Sequence, residues 1–440
     1  MYLVYGLQKS GLSIAKLLQK QNKNFKIWDD NKKALNKIKN NFNSTLFFKP
    51  QHDKIDNFKK IFVSPGISIR QNKFKNKKLS IKLNRDLNLY LKNIKNEKII
   101  AITGTNGKST TTKLIGDILK KSKIKTFVGG NIGEPLCNAF LYNKNFNYHV
   151  IELSSFQLET INKINSKISI ITNLSNDHLD RYNNISDYVK QKKNIISKNG
   201  YNLISIDDKY SKKIFLQKKL SNKISFSITD KSADVFMNDN YILDNYFKKN
   251  KKLHVKKRSK DLEGQFNNQN ILISYICCKI LKIKEKNFFY IINNYRGLPF
   301  RSSIILDNKK LKVINNSKST NINSTINSII NYNQIYLILG GIAKEKNFKI
   351  LLNYKYKINC VYTFGESSAY IYDLLNKSLK VKKFYNLKSL IKEVLKDTKN
   401  NKCKSNILFA PACTSFDQYK NFEDRGKDFT KIFNKNYKKL

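Results

Sequence analysis

At 440 residues the chain exceeds what one hydrophobic core usually organises, so two or three domains are expected, and a 40% share of hydrophobic residues suffices to fold them. The formal charge of +52 invites a nucleic-acid reading, but the lysines recur with Asn and Ile in nearly every segment instead of clustering, so no nucleic-acid partner is expected, only a basic surface that attracts small anions. No stretch reaches the roughly 20 apolar residues of a bilayer span, the N-terminus lacks a secretory layout, and the six cysteines form no C-x-x-C pair; a cytoplasmic protein with reduced thiols and no membrane insertion is expected.

The first unit, residues 1–92, opens with the strand Tyr2-Leu-Val-Tyr5, the turn Gly6-Leu-Gln-Lys-Ser-Gly11, a helix through Leu18 and a second strand Phe25-Lys-Ile-Trp-Asp29. A later strand, Ile61 to Ser64, ends in Pro65-Gly66. Strands alternating with helices imply a parallel sheet. The Gly turn with Asp29 after the second strand suits a nucleotide-binding βαβ unit, and with Gln8 at the middle glycine position it suits a plain tight turn equally well.

The second unit, residues 93–296, begins with Ile99-Ile-Ala-Ile-Thr103-Gly104-Thr105-Asn106-Gly107-Lys108-Ser109-Thr110. A short apolar run, a turn with two glycines and then an amphipathic segment read as strand, phosphate-cradling loop and helix. Glycines let backbone N–H groups face phosphates, the helix N-terminus adds positive potential, Lys108 reaches the outer phosphates and the Ser109 hydroxyl suits Mg²⁺. Such a loop binds a nucleoside triphosphate. Further strands are Tyr148 to Leu153, Ile168 to Asn173 and Asn202 to Ile206, and the lysine-rich stretch from about 210 to 260 reads as a β-rich insert.

Glu152, in the otherwise apolar strand after the phosphate-loop helix, is costly to bury unless paired or metal-bound, and a Mg²⁺ ligand is expected on that strand. His178, between Asp177 and Asp180, is a metal ligand or an incidental histidine on local grounds. Lys192 looks like one more surface lysine. Asn267 and Asn270 open a helix, as caps or as amides contacting a base.

The third unit, residues 297–440, repeats short apolar strands ending in loops: Ile335 to Gly341, Cys360 to Gly365, and Ile407 to Pro411. Ligands of open α/β sheets lie outside the carboxyl ends of the strands, so three such units can assemble three ligands.

The loop Thr103 to Ser109, Gly130-Asn-Ile-Gly133, the Glu152 strand and the run Asn173 to Arg181 resemble the Mur ligase family. Two longer strings, Glu152-Leu-Ser-Ser-Phe-Gln-Leu-Glu159 and Ala410-Pro-Ala-Cys-Thr-Ser-Phe-Asp-Gln-Tyr-Lys-Asn-Phe-Glu-Asp-Arg-Gly426, resemble its D-glutamate-adding members. The resemblance runs over essentially the whole chain. It implies an α/β protein of three domains: a Rossmann-like N-terminal domain for the UDP-sugar, a central P-loop ATPase domain with a parallel sheet, and a C-terminal Rossmann-like domain for the amino acid. It further implies a monomeric ATP-dependent amide ligase joining D-glutamate to UDP-N-acetylmuramoyl-L-alanine through an acyl phosphate, with two Mg²⁺ ions. Another amide ligase of the superfamily, including the folate-glutamate type, or a binding-only relative is the alternative.

By motif position the resemblance assigns catalytic roles to Lys108, His178 and Lys192. Metal binding falls to Ser109, Glu152, His178 and a carbamylated Lys192, with Lys193 as the fallback because one residue is missing between Tyr182 and Tyr188. Nucleotide contacts fall to Gly104 through Thr110, Asn267, Asn270, Arg301, Asn316 and Lys318. Ser10, Asp29, Ser64, Pro65, Gly66 and Asn131 match the sugar-nucleotide positions; Thr320, Lys344, Ser415, Phe416 and Phe422 match the amino-acid pocket, where a cation and hydroxyls suit a dicarboxylate. The chain departs from the family at Gln8, at Phe266 and Phe300, where His is usual, and at Asn316, where Asp is usual.

Overall fold

The structure, a computed structural model, describes residues 1–50, 55–71, 74, 76–178, 181–238, 240–399, 401 and 403–438. The chain divides into two compact units, Met1–Lys256 with Asn268–Ile292, and Lys257–Asn267 with Asn293–Leu440. Among the described residues, nineteen strands form three sheets, two in the first unit and one in the second.

The first sheet comprises β1 (Tyr2–Tyr5), β2 (Phe25–Trp28), β3 (Lys60–Val63) and β4 (Leu83–Asn84), ordered β2-β1-β3-β4 and parallel throughout. The helix Lys9–Lys20 covers one face with Ile14, Leu17 and Leu18, the i, i+3, i+4 stripe that its sequence spacing dictates. Because β2 and β3 flank β1 on opposite sides, the turn at Gly6 lies at the point where strand order reverses, the usual place for a ligand crevice.

The second sheet holds β5 (Lys98–Thr103), β6 (Thr126–Gly130), β7 (Tyr148–Glu152), β8 (Ile168–Ile171), β9 (Tyr201–Ser205), β10 (Lys223–Ser227), β11 (Val235–Asn238), β12 (Tyr241–Asp244) and β13 (Lys251–His254). Their order is β13-β12-β11-β10-β9-β8-β5-β7-β6. Strands β5 to β11 run parallel, and β12 and β13 close the edge antiparallel. Ile99 to Ile102 are all buried, as expected for a parallel strand covered on both faces. The β-rich insert expected from about 210 to 260 is thus an extension of this sheet. Only two residues separate β11 from β12, too few for a parallel crossover, so the pair turns back on itself. The strand expected to reach Asn173 stops at Ile171, which frees the Asn173 amide to serve the phosphate loop.

The third sheet comprises β14 (Ser303–Asp307), β15 (Leu311–Asn315), β16 (Ile335–Gly340), β17 (Ile358–Phe364), β18 (Val381–Lys383) and β19 (Ser405–Phe409), ordered β14-β15-β19-β16-β17-β18. All pairs but β14–β15 are parallel. Leu337, Leu339 and Leu408 fill one face, and Ile338, Tyr362 and Phe409 the other. No helix among the described residues is long and apolar enough to cross a membrane, and the six cysteines are free thiols.

Candidate functional site

Strand β5 lies between β7 and β8, so the loop leaving its carboxyl end is flanked by the ends of both neighbours. Gly104 has φ +143°, and a Cβ there would meet Thr172 Oγ1 at 1.9 Å; at Gly107, φ +81°, it would meet Asn270 Oδ1 at 2.7 Å. Neither position tolerates a side chain in this turn. The loop is held from the β8 side, where Thr105 N donates to Asn173 O (2.8 Å) and Asn106 N to Asn173 Oδ1 (2.9 Å). Asn270 accepts from Thr111 Oγ1 at 2.9 Å in the helix that follows.

That helix, Lys108–Lys121, starts at the loop's end. The Lys108 amine folds back to donate to Gly104 O (2.8 Å) and Thr105 O (2.7 Å), which places the cation over the loop. Ser109 Oγ donates to Glu152 Oε2 at 2.5 Å, and Asn131 Nδ2 donates to Glu152 Oε1 at 2.8 Å. Gly130 makes this approach possible, since a Cβ there would lie 2.2 Å from Glu152 O. Glu152 is therefore no solvated strand end. Buried and doubly hydrogen-bonded, it joins the loop helix to the turn after β6. Thr110, next to Ser109 in sequence, is half-buried.

Lys192, on the helix Ile185–Lys193, is 2% exposed and donates to Gly104 O (2.7 Å) and Thr103 Oγ1 (3.2 Å). Burial holds its amine well below the ordinary lysine range, and the Lys108 charge pushes the same way against Asp177 and Glu152. Lys193, its neighbour, is exposed. Reading Lys192 as a surface lysine on local sequence is thus corrected: a helix that packs Tyr188 and Lys192 inward turns Lys193 out. Tyr188 reaches the same loop, its hydroxyl 3.1 Å from Thr105 Oγ1.

His178 adopts φ +55° and packs edge-on against Phe156 at 4.8 Å, with Nε2 3.5 Å from Asp177 Oδ2. Asp180 lies outside the described residues. Among the described residues no group of three or more His, Cys, Asp and Glu side chains is assembled that could hold a metal by itself.

In the first sheet, Asp29 is buried and accepts from Leu7 N (2.6 Å) and Asn31 N (2.8 Å), so its carboxylate fixes the Gly6 turn. Ser10 follows on the helix and is a hydrogen-bond partner of the buried Asp86 carboxyl. Ser64 N is tied to Tyr5 O at 2.8 Å, and the carbonyls of Pro65 and Gly66 accept from Arg181 Nη1 (3.4 and 3.2 Å).

In the second unit, the adjacent ends of β15, β19 and β16 bring the segments 316–320, 410–416 and 340–344 to one edge of the sheet. Lys318 Nζ sits 4.3 Å from the Phe422 ring centroid and the Arg301 guanidinium 5.9 Å from it. Asn316 donates to Ser328 Oγ at 2.8 Å, Ser415 is buried, and Thr320 and Lys344 are half-buried in the same segments. Phe416 is 69% exposed. Asn267 donates to Glu263 O at 3.0 Å near the start of the helix Gln265–Ile280.

Four arginines were missed from sequence. Arg425, fully buried, donates to Ser317 O (2.8 Å), Ser317 Oγ (3.1 Å), Gly340 O (3.2 Å) and Cys413 O (3.0 Å), pinning the three segments of that edge together. Arg85 does the same for the turn after β3, and Arg70 and Arg181 flank that turn. The available signal was scarcity: only seven of the 84 basic residues are arginine. Lysine cannot replace arginine where a planar fork must satisfy several acceptors.

Residues 102–278 match the Mur ligase middle domain, and residues 1–80 match the Mur ligase MurD-like N-terminal domain. The UDP-N-acetylmuramoylalanine--D-glutamate ligase of Rickettsia bellii is 34% identical over 445 residues, covering 98% of this chain and 96% of that protein. In fold the chain is similar to UDP-N-acetylmuramate-alanine ligase MurC of Thermotoga maritima (TM-score 0.62, 16% identity, 99% of each chain). It is also similar to the MurF ligase of Thermotoga maritima in complex with ADP (TM-score 0.64, 16% identity, 99% of this chain and 95% of that one). With two domains matched and a relative of this identity along nearly its whole length, the chain belongs to the Mur ligase family.

Proposed function

We propose that the chain adds D-glutamate to UDP-N-acetylmuramoyl-L-alanine at the expense of ATP, in the synthesis of peptidoglycan precursors. The observation that carries this reading is the Ser109–Glu152 contact beside a glycine-built phosphate loop, in a chain related along its length to UDP-N-acetylmuramoylalanine--D-glutamate ligases. Residues 1–92 take the UDP-sugar, 93–296 the ATP and 297–440 the amino acid. The protein works in the cytoplasm as a monomer, without a nucleic-acid partner.

A free carboxylate resists amide formation because its carbon is a poor electrophile and it has no good leaving group. Transfer of the terminal phosphoryl group of ATP to the L-alanyl carboxylate gives an acyl phosphate and ADP. The D-glutamate amine then attacks the acyl carbon, and inorganic phosphate leaves. What the protein contributes is positioning and charge neutralisation. Lys108 holds the transferring group from above the loop, and the loop's N–H groups and the helix start cradle the inner phosphates.

Ser109 and Glu152 offer buried hard oxygen donors, which fit Mg²⁺ and would hold it. The cation would neutralise charge on the triphosphate. Burial disfavours the charged form of the Lys192 amine, which favours its uptake of CO₂; as a carbamate it would offer oxygens that, with His178, would hold a second ion. Lys344 supplies a cation, with Thr320 and Ser415 as hydroxyls, for the carboxylates of D-glutamate, while Arg301 and Lys318 contact the nucleotide and its phosphates.

The test is product analysis by mass spectrometry with D-glutamate, L-glutamate and diaminopimelate in parallel. The proposal requires a product one D-glutamyl residue heavier than the UDP-sugar. A product formed only with diaminopimelate moves the chain to another branch of the family.

A further inference from the structure

The turn Ser64 to Gly66 and the helix Ile185–Lys193 both belong to the first compact unit, and an ion pair between Arg70 and Asp187 links the chain just after that turn to the helix's first turn. Arg70 donates from Nη2 to Asp187 Oδ1 at 3.0 Å, and Nη1 to Oδ2 completes a bidentate fork. The guanidinium also lies 4.9 Å from the Tyr182 ring centroid. The two side chains are 32% and 20% exposed. Exposed ion pairs usually contribute little to stability. This one differs in having two parallel contacts and a ring beneath the fork, a geometry that fixes orientation as well as distance.

Asp187 sits where a shift would be transmitted. Its N–H is capped by Asn184 Oδ1 at 2.9 Å, its carboxylate accepts from Gln191, and the residue after it, Tyr188, touches the phosphate loop at Thr105. Lys192 follows on the same short helix and donates to Gly104 O. A helix of nine residues moves as one body, so whatever fixes Asp187 fixes Tyr188 and Lys192 against the loop.

We propose that Arg70 is a positioning residue for the phosphoryl transfer: through Asp187 it sets the helix bearing Tyr188 and Lys192 against the nucleotide loop, from the segment that follows the sugar-nucleotide turn. The kinetic side of this inference rests on the ligase reading above; its ADP-binding side needs no turnover.

The test uses the full chain with Arg70→Met, Asp187→Asn, the double variant and Arg70→Lys. Thermal midpoint, ADP affinity by calorimetry, kcat and the KM of each substrate are measured. Arg70→Met and Asp187→Asn each lower kcat about 10- to 100-fold, the scale of a small misplacement of reacting groups, weaken ADP binding several-fold, and leave the D-glutamate KM unchanged. The double variant is no worse than either single one, because the pair acts as a unit, and Arg70→Lys falls between. A lowered thermal midpoint with kcat and ADP affinity within about twofold of wild type overturns the inference, as does an additive double variant. Absence of D-glutamate-dependent turnover in the wild-type chain overturns the ligase reading instead, and the ADP titrations then decide this one.

Discussion

The Ser109 hydroxyl donates to the Glu152 carboxylate across 2.5 Å, tying the first turn of the phosphate-loop helix to the end of the adjacent strand. Neither group faces bulk water, and the second Glu152 oxygen is taken by Asn131. Glu152→Gln keeps the shape and removes the charge, so kcat should fall by about 10²-fold or more with the fold intact. Lys108→Ala should cost at least as much. Steady-state kinetics beside circular dichroism checks both; near-normal turnover in either variant contradicts the assigned roles.

Lys192 and Lys193 are neighbours with opposite fates. Lys192→Ala should abolish most turnover, and added short carboxylates should restore part of it, because they supply the oxygens a carbamate would offer. Lys193→Ala, altering an exposed side chain, should leave kcat within about twofold. Reversal of these outcomes would move the role to Lys193.

Arg85 and Glu159 form a buried ion pair at 2.8 Å, with side chains 0% and 4% exposed. The same guanidinium donates to the carbonyls of Val63, Ser64, Ile67 and Phe156. Arg85→Met strands the Glu159 charge and several carbonyls, so unfolding stability should fall by about 3–5 kcal/mol. Adding Glu159→Gln should recover part of that loss. Denaturant titration measures it, and a loss under about 1 kcal/mol would contradict this account.

His149 lies among Tyr90, Phe127, Phe140 and Phe146, with Nδ1 2.8 Å from the Tyr90 hydroxyl and Nε2 buried without a hydrogen-bond partner. Burial lowers its pKa from 6.5 to about 4. The unfolded chain therefore binds the extra proton first. This contribution to stability is complete above pH 6.5 and is lost as pH falls toward 4, by about 3 kcal/mol in all. Comparing wild type with His149→Leu across that window isolates it from the carboxylates; identical pH slopes would contradict it.

The parallel sheets were legible because buried parallel strands are written as continuous apolar runs, as in Ile99 to Ile102. The phosphate loop was legible because only glycine fits at positions 104 and 107. Lys192 was not, since nothing in Lys192-Lys193 says which amine faces inward until the helix is packed on Tyr188. The arginines escaped because their acceptors are main-chain carbonyls: Arg425 serves Ser317, Gly340 and Cys413, far apart in sequence and adjacent only through strand order. Asp29, which matches a sugar-nucleotide position, also holds the turn itself, its carboxylate accepting from the Leu7 N–H, a contact that residue type and spacing leave open.

The proposed reaction turns on phosphorylation of the substrate carboxylate before the amine attacks. With UDP-N-acetylmuramoyl-L-alanine labelled with ¹⁸O in its carboxylate, ATP and D-glutamate, each inorganic phosphate released should carry one ¹⁸O atom, in amounts equal to the amide formed. Unlabelled phosphate, or phosphate release indifferent to D-glutamate, would contradict it.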